Sequence, residues 1–177
     1  MDEPSTYQII AQLIGIIASA FVVLSFGQKR DNHLKIYVMI GNIIFAVHFL
    51  MLGAYAGVFV TLLNTCRAGF SIKFHKSTKM MFFFWGIYIL AAVIVYEKPI
   101  DLFPFFSSIL GTYSMFKLSG IKLRLLGMLG SSSWLVYGIV FHSVGGIITE
   151  ISVMVLNTLT ILRLMSDKKK QSNEQSI

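Results

Sequence analysis

The chain has 177 residues, of which 55% are hydrophobic and 13% charged, with a formal net charge of +7. A soluble domain carries nearer 25% charged residues, and this much apolar chain cannot bury itself in water, so lipid must cover most of it. The basic residues sit in short clusters between apolar runs, as topology signals do, which argues against nucleic acid as a partner; the single cysteine, Cys66, rules out an internal disulfide and a cysteine metal cluster.

Seven apolar segments follow in chain order, at 8–26, 36–54, 56–74, 80–96, 101–117, 124–141 and 144–165. Most approach the ~20 residues that cross a ~30 Å hydrocarbon core; the fourth and fifth are shorter and span with little tilt. All are expected to be helices, since an open strand in lipid leaves its backbone unpaired. The first segment contains Ala18-Ser19-Ala20, which has the shape of a signal-peptidase site. Acidic Asp2 and Glu3 precede it and the apolar run continues to Phe26, so a retained helix is expected. Gly53 and Gly57 bracket a tight turn between the second and third segments. In the fourth, Phe82, Phe83, Phe84 and Trp85 at one end and Tyr96 at the other read as aromatic belts. Asp101 can cap the fifth helix, with Pro104 tolerated in its first turn. Gly145-Gly146 marks the turn between the last two segments. From Ser166 the chain turns polar, with Lys168, Lys169 and Lys170, and reads as a disordered cytoplasmic tail over 166–177.

The chain is written twice. At a constant offset of 89, Gly41 falls on Gly130, Lys35 on Arg124, Phe45 on Trp134, His48 on Tyr137 and Gly57 on Gly146. The expectation is an all-α integral membrane protein, one membrane domain with seven transmembrane helices in a three-plus-one-plus-three order. Repeat one covers 8–74, a linker helix covers 80–96 and repeat two covers 101–165. The odd central helix restores the chain direction, so the repeats are parallel about an axis along the membrane normal.

Charge fixes an orientation. Fourteen of the fifteen Lys and Arg residues fall on one face of this seven-span arrangement, and Lys98 stands by itself on the other. The positive-inside rule then places the N-terminus outside and the C-terminus in the cytoplasm.

Polar side chains inside lipid are costly and usually face the bundle interior or water. Glu150 lies early in the last segment, roughly 9 Å below the outer surface at 1.5 Å per residue. Asn157 is two turns on, along the same helix face. Asn64 and Arg67 share a face of the third segment, Phe45 and His48 one of the second, and Trp134 and Tyr137 one of the sixth. The functional reading is a cavity between the repeats that holds a small polar solute. In it Asn64 and Asn157 hydrogen-bond the solute, Trp134 and Phe45 stack on its rings, and Glu150, His48 and Arg67 tune charge or carry a proton. Each residue also has a structural reading. The asparagines can cross-link helices, Trp134 and Tyr137 can be packing or belt aromatics, Arg67 can snorkel or pair with Glu150, and His48 can be a satisfied core imidazole. A lone carboxylate at the depth of Glu150 must be protonated, paired or in water. Leu63-Asn64-Thr65 matches Leu156-Asn157-Thr158 at an offset of 93, so four residues must enter between. Gly15 and Pro104 coincide under the repeat offset and suggest paired hinges in the first helix of each repeat.

The sequence shows no hydrolase elbow, zinc-protease motif, CxxC or phosphate-binding glycine loop, so no enzyme, cofactor or metal is expected. Two repeats complete one pathway in a monomer, and a homo-oligomer is compatible with the same reading. The rival reading is a non-transporting scaffold or a partner- or lipid-binding subunit, in which the polar residues are packing glue.

Val47-His48-Phe49, Leu52-Gly53-x-Tyr55, Leu63-Asn64-x-x-Arg67, Trp134 and Ser143-x-Gly145-Gly146 with Glu150 and Asn157 resemble the YgjV family of bacterial inner-membrane proteins. The resemblance covers 10–165 and implies the bacterial cytoplasmic membrane. More distantly the chain resembles the SWEET and PQ-loop carriers. That resemblance implies parallel repeats, an outside N-terminus and an asparagine on the last helix of each repeat at the solute site, where Asn64 and Asn157 match and Trp134 would stack on a sugar. The family's Pro-Gln appears here as Gly27-Gln28, and Glu150 and Arg67 are additions that a neutral sugar does not demand. A charged or vitamin-like solute is as open as a sugar.

Overall fold

The first helix, α1 (Thr6–Ser25), buries Ala11, Gly15, Ala18 and Ser19, which recur on one helical face and let neighbouring backbones come close. The structure, a computed structural model, describes residues 5–25, 31–74, 77–118 and 120–174. Gly27-Gln28, Lys29, Arg30, His75 and Lys76 lie outside the described residues. After α1 come α2 (Asp31–Met51), α3 (Tyr55–Lys73), α4 (Thr78–Val95), a 3-10 turn (Pro99–Asp101), α5 (Leu102–Lys117), α6 (Gly120–Val140) and α7 (Val144–Glu174).

Packing among these helices is circular. The helix α1 packs on α2 and α7, α2 on α3, α3 on α5, α5 on α6, and α6 on α7. Six helices thus close a ring, and α4 lies outside it across α3 and α5. Small residues set the close crossings. A Cβ on Gly41 would lie 3.2 Å from the Ala18 carbonyl oxygen, and one on Gly130 would lie 3.7 Å from the Ser107 carbonyl oxygen. These two crossings, α1 on α2 and α5 on α6, differ by the same 89 residues at both partners.

Burial is inverted relative to a water-soluble protein. Val93 is 75% exposed and Leu90 61%, whereas His48, Thr112 and Ser143 are completely buried. An apolar exterior around a polar interior is what a bilayer solvent demands. Among the described residues, four helices are long and apolar enough to cross a membrane: α1, α4, α6 and the Val144–Ser166 part of α7. The sequence leads one to expect seven. The other three fall short for visible reasons. The apolar part of α2 is Lys35–Met51, α5 has 16 residues, and α3 carries Thr61, Asn64, Thr65, Arg67 and Ser71.

Several local expectations are revised. The turn before α7 is made at His142, whose φ of 50° corresponds to the φ of 66° at Gly53 before α3. Gly145 and Gly146 are instead inside α7, where Gly145 meets the backbone of Gly15. Phe84 and Trp85 are not belt residues. Phe84 is buried edge-on against Phe70, and the Trp85 indole donates to the Ile109 carbonyl at 3.0 Å. Asp101 does not cap α5 through its side chain; it reaches back and accepts from the backbone N–H groups of Glu97 and Lys98. Helix α7 runs past 165 to Glu174, because Lys168–Lys170 and Gln171 favour helix and no Gly or Pro interrupts them.

Candidate functional site

A cavity of about 80 Å³ lies inside the ring. Helix α2 supplies Asn42, Phe45 and Phe49, α3 supplies Thr61 and Asn64, α6 supplies Trp134, and α7 supplies Gly146, Thr149 and Glu150, with Val22 of α1 completing the lining. Each set recurs at three- and four-residue spacing, which is why one helix face delivers it to one place. Phe45, Phe49 and Trp134 form a stack, with neighbouring centroids 5.7 Å apart and rings inclined by 21° and 24°.

Glu150 is half-buried, and Ser131 of α6 lies beside its carboxyl. Asn64 is held from behind, its side-chain oxygen accepting from Tyr88 of α4 at 2.7 Å and from Ser108 of α5 at 3.2 Å. Among the described residues its NH2 group meets no protein acceptor, and it belongs to a side chain that lines the cavity. The Trp134 indole N–H likewise makes no hydrogen bond within the described residues. These donors, the Glu150 carboxyl and the Asn42 amide are the groups a solute can meet.

Four other residues expected at the site lie elsewhere. His48 is enclosed, with Nδ1–H donating to the Ala11 carbonyl at 2.7 Å. A carbonyl only accepts, so Nε2 carries the lone pair and takes the Ser143 hydroxyl at 2.7 Å. Ser143 Oγ in turn accepts from the Gly146 N–H at 3.0 Å, at the start of α7. Tyr137 is also completely buried, and its hydroxyl accepts from the Gly57 N–H at 2.9 Å, at the start of α3. Tyr137 thus satisfies directly a backbone donor that the N-terminus of α3 leaves open, whereas at α7 the donor is met by Ser143 of the same half, which His48 of the other half holds by a hydrogen bond. The repeat offset of 89 carries His48 to Tyr137 and Gly57 to Gly146, so the two connections correspond, one direct and one through Ser143.

Arg67 binds α5, donating to the Ser108 carbonyl at 3.1 Å and to the Thr112 hydroxyl at 2.8 Å, with its guanidinium 5.9 Å from the Tyr88 ring centre. It does not meet Glu150. Asn157 lies outside the cavity lining and accepts from Arg124 at 3.0 Å. The register explains this. Asn64 is seven residues beyond Gly57 and Asn157 is eleven beyond Gly146. No insertion absorbs the difference in α7, so Asn157 sits one turn, about 6 Å, farther along. Gly15 packs under the His48 ring and Pro104 is fully buried in the first turn of α5; both helices are continuous through them.

Asn42, Thr61 and Thr149 line the cavity without having been singled out in the sequence. A signal existed for Thr61, which falls on Glu150 under the repeat offset. Asn42 lies three before Phe45 on one helix face, and the offset carries it to Ser131, the neighbour of Glu150. Among the described residues, no group of His, Cys, Asp and Glu side chains is placed to hold a metal.

Residues 9–168 match the family Imp-YgjV, described as bacterial inner membrane protein. The chain is 24% identical over 164 residues to "Inner membrane protein YgjV" of Escherichia coli (strain K12), covering 91% of this chain and 87% of that one. No solved structure matches.

Proposed function

We infer that this chain, which belongs to the Imp-YgjV family of bacterial inner membrane proteins, carries a small polar solute across that membrane by alternating access. The observation that carries the reading is the cavity itself. It joins amides, a carboxyl and an aromatic stack at the seam between two halves of a helical ring. The corresponding Tyr137–Gly57 and His48–Ser143 contacts support an arrangement of two SWEET-like parallel repeats, with seven membrane passes, an outer N-terminus and a cytoplasmic C-terminus. At about 80 Å³ the cavity is well below the ~300–1,000 Å³ of drug-sized ligand sites. The solute therefore has few heavy atoms, or the ring opens to admit it. His48, Tyr137, Gln12 and Arg67 tie the halves together, so an open state must release some of these bonds. Helices α3 and α7 each begin at a cap held by the other half, which couples the movement of one half to the other.

The test is a thermal-shift screen of purified protein against sugars, vitamins, nucleosides, amines and organic acids, followed by uptake into proteoliposomes. A ligand stabilises the state it binds in proportion to the logarithm of its concentration over its affinity constant. A stabilising compound that also crosses the liposome membrane establishes a carrier. Proton coupling through Glu150 is part of the reading, and full proton dependence in a Glu150→Gln variant excludes it.

One observation favours a scaffold instead. His48, Tyr137 and Asn157, expected to meet solute, are engaged between helices. A screen in which nothing shifts, while variants at these positions merely unfold earlier, selects that alternative.

A further inference from the structure

The carrier reading leaves the solute's charge open, and the composition of the cavity decides it. Among the described residues, Glu150 is the one ionisable side chain in the lining, and no Lys, Arg or His joins it. The neighbouring cations are committed elsewhere. Arg67 donates to Ser108 and Thr112, Arg124 to Asn157, Lys35 to the Ser71 carbonyl, and both His48 nitrogens are occupied. The groups facing Glu150 are neutral: the Ser131 hydroxyl, Thr149 on its own helix, and Thr61, Asn42 and Asn64 across the cavity.

Resting on the carrier reading, we propose that the solute is a small organic cation, an ammonium whose charge is met by Glu150 and whose methyl or methylene groups lie against the Phe45–Phe49–Trp134 aromatic stack. An anion would approach an uncompensated carboxylate in a low-dielectric site, where like charges repel far more than in water. A cation gains there twice, from the carboxylate and from the negative faces of the aromatic rings. A neutral polyol would leave the carboxylate unmatched. The small volume restricts the class to compounds of about the size of a methylated amine.

Three compounds of similar shape separate the possibilities: tetramethylammonium, tert-butanol and pivalate, carrying a positive, a zero and a negative charge. The readouts are thermal shift of the purified full chain and counterflow in proteoliposomes. The expected result is stabilisation by tetramethylammonium alone. Glu150→Gln should weaken it by about 30-fold or more, as loss of one member of a desolvated charge pair does, and Glu150→Asp should retain it. If Glu150→Gln fails to fold, the wild-type ranking of the three compounds still decides. Equal shifts from tert-butanol, preference for pivalate, or no shift from any of the three overturns the proposal. The carrier reading then stands or falls separately, on whether any compound of the wider screen is carried. Binding of tetramethylammonium without passage supports the cation site and sinks the carrier.

Discussion

A methyl group at position 145 would fall on the backbone of Gly15, where α7 crosses α1. Backbone cannot rotate away as a side chain can, so Gly145→Ala must push the helices apart. We expect a loss of about 2–3 kcal/mol or more, read as a lower melting temperature in detergent. Gly86→Ala is the control, since nothing lies within 4 Å of a Cβ there; it should be neutral or stabilise slightly, because alanine favours helix over glycine. Hydrogen bonds give a second residue-scale case. Tyr137→Phe keeps the ring packed against Phe49 and removes the acceptor for the Gly57 N–H. A buried donor left open costs about 1–3 kcal/mol, toward the lower end in a membrane bundle, where exchanged bonds average less. The same melting measurement checks it. That Gly57 and Tyr137 matter was legible from the repeat; that they touch was not, because the contact joins residues 80 apart.

At the scale of elements, helical register decides which asparagine does what. The two asparagines look equivalent in sequence because each lies in a Leu-Asn-Thr triplet on the third helix of its half. An offset of 93 against 89 is one helical turn, and α7 keeps that turn. Asn64 therefore lines the cavity, and Asn157 meets Arg124. Asn64→Ala should weaken whatever ligand the screen finds by about tenfold, the cost of roughly one hydrogen bond of 1.4 kcal/mol. Asn157→Ala should leave ligand affinity unchanged and lower stability, since it leaves Arg124 without its partner. Equal losses of affinity from both variants would mean that the two residues enter one site in some other state of the ring. The same reasoning shows what sequence periodicity conveys. It supplied the helices and the faces holding Phe45, Trp134 and Glu150. It did not supply ring closure through α1 on α7 and α3 on α5, which depends on long-range packing, or the anchoring of Asn64 by Tyr88 and Ser108 from two other helices.

For the whole molecule, the distribution of charge makes a prediction that helix length does not. Among the described residues, four helices satisfy the length and apolarity needed to span, yet the ring places α2, α3 and α5 side by side with them. A ring in which α2, α3 and α5 stopped short of spanning would leave their open backbone ends in lipid, which is costly. The proposal of seven passes rests on this cost, and the positive-inside rule gives the proposed orientation, which can be tested. Lys98 is exposed beside the 3-10 turn, its ammonium 5.0 Å from the Phe141 ring centre. Lys122 is exposed near the start of α6. In a Cys66→Ser background, a cysteine at position 98 should react with a membrane-impermeant maleimide in intact spheroplasts. A cysteine at position 122 should react only after permeabilisation. The reverse pattern would invert the orientation while keeping the ring, and labelling of both from outside would put an even number of passes between positions 98 and 122. The single helix α5 lies between them, so the experiment also tests whether a helix of 16 residues, about 24 Å long, crosses the bilayer.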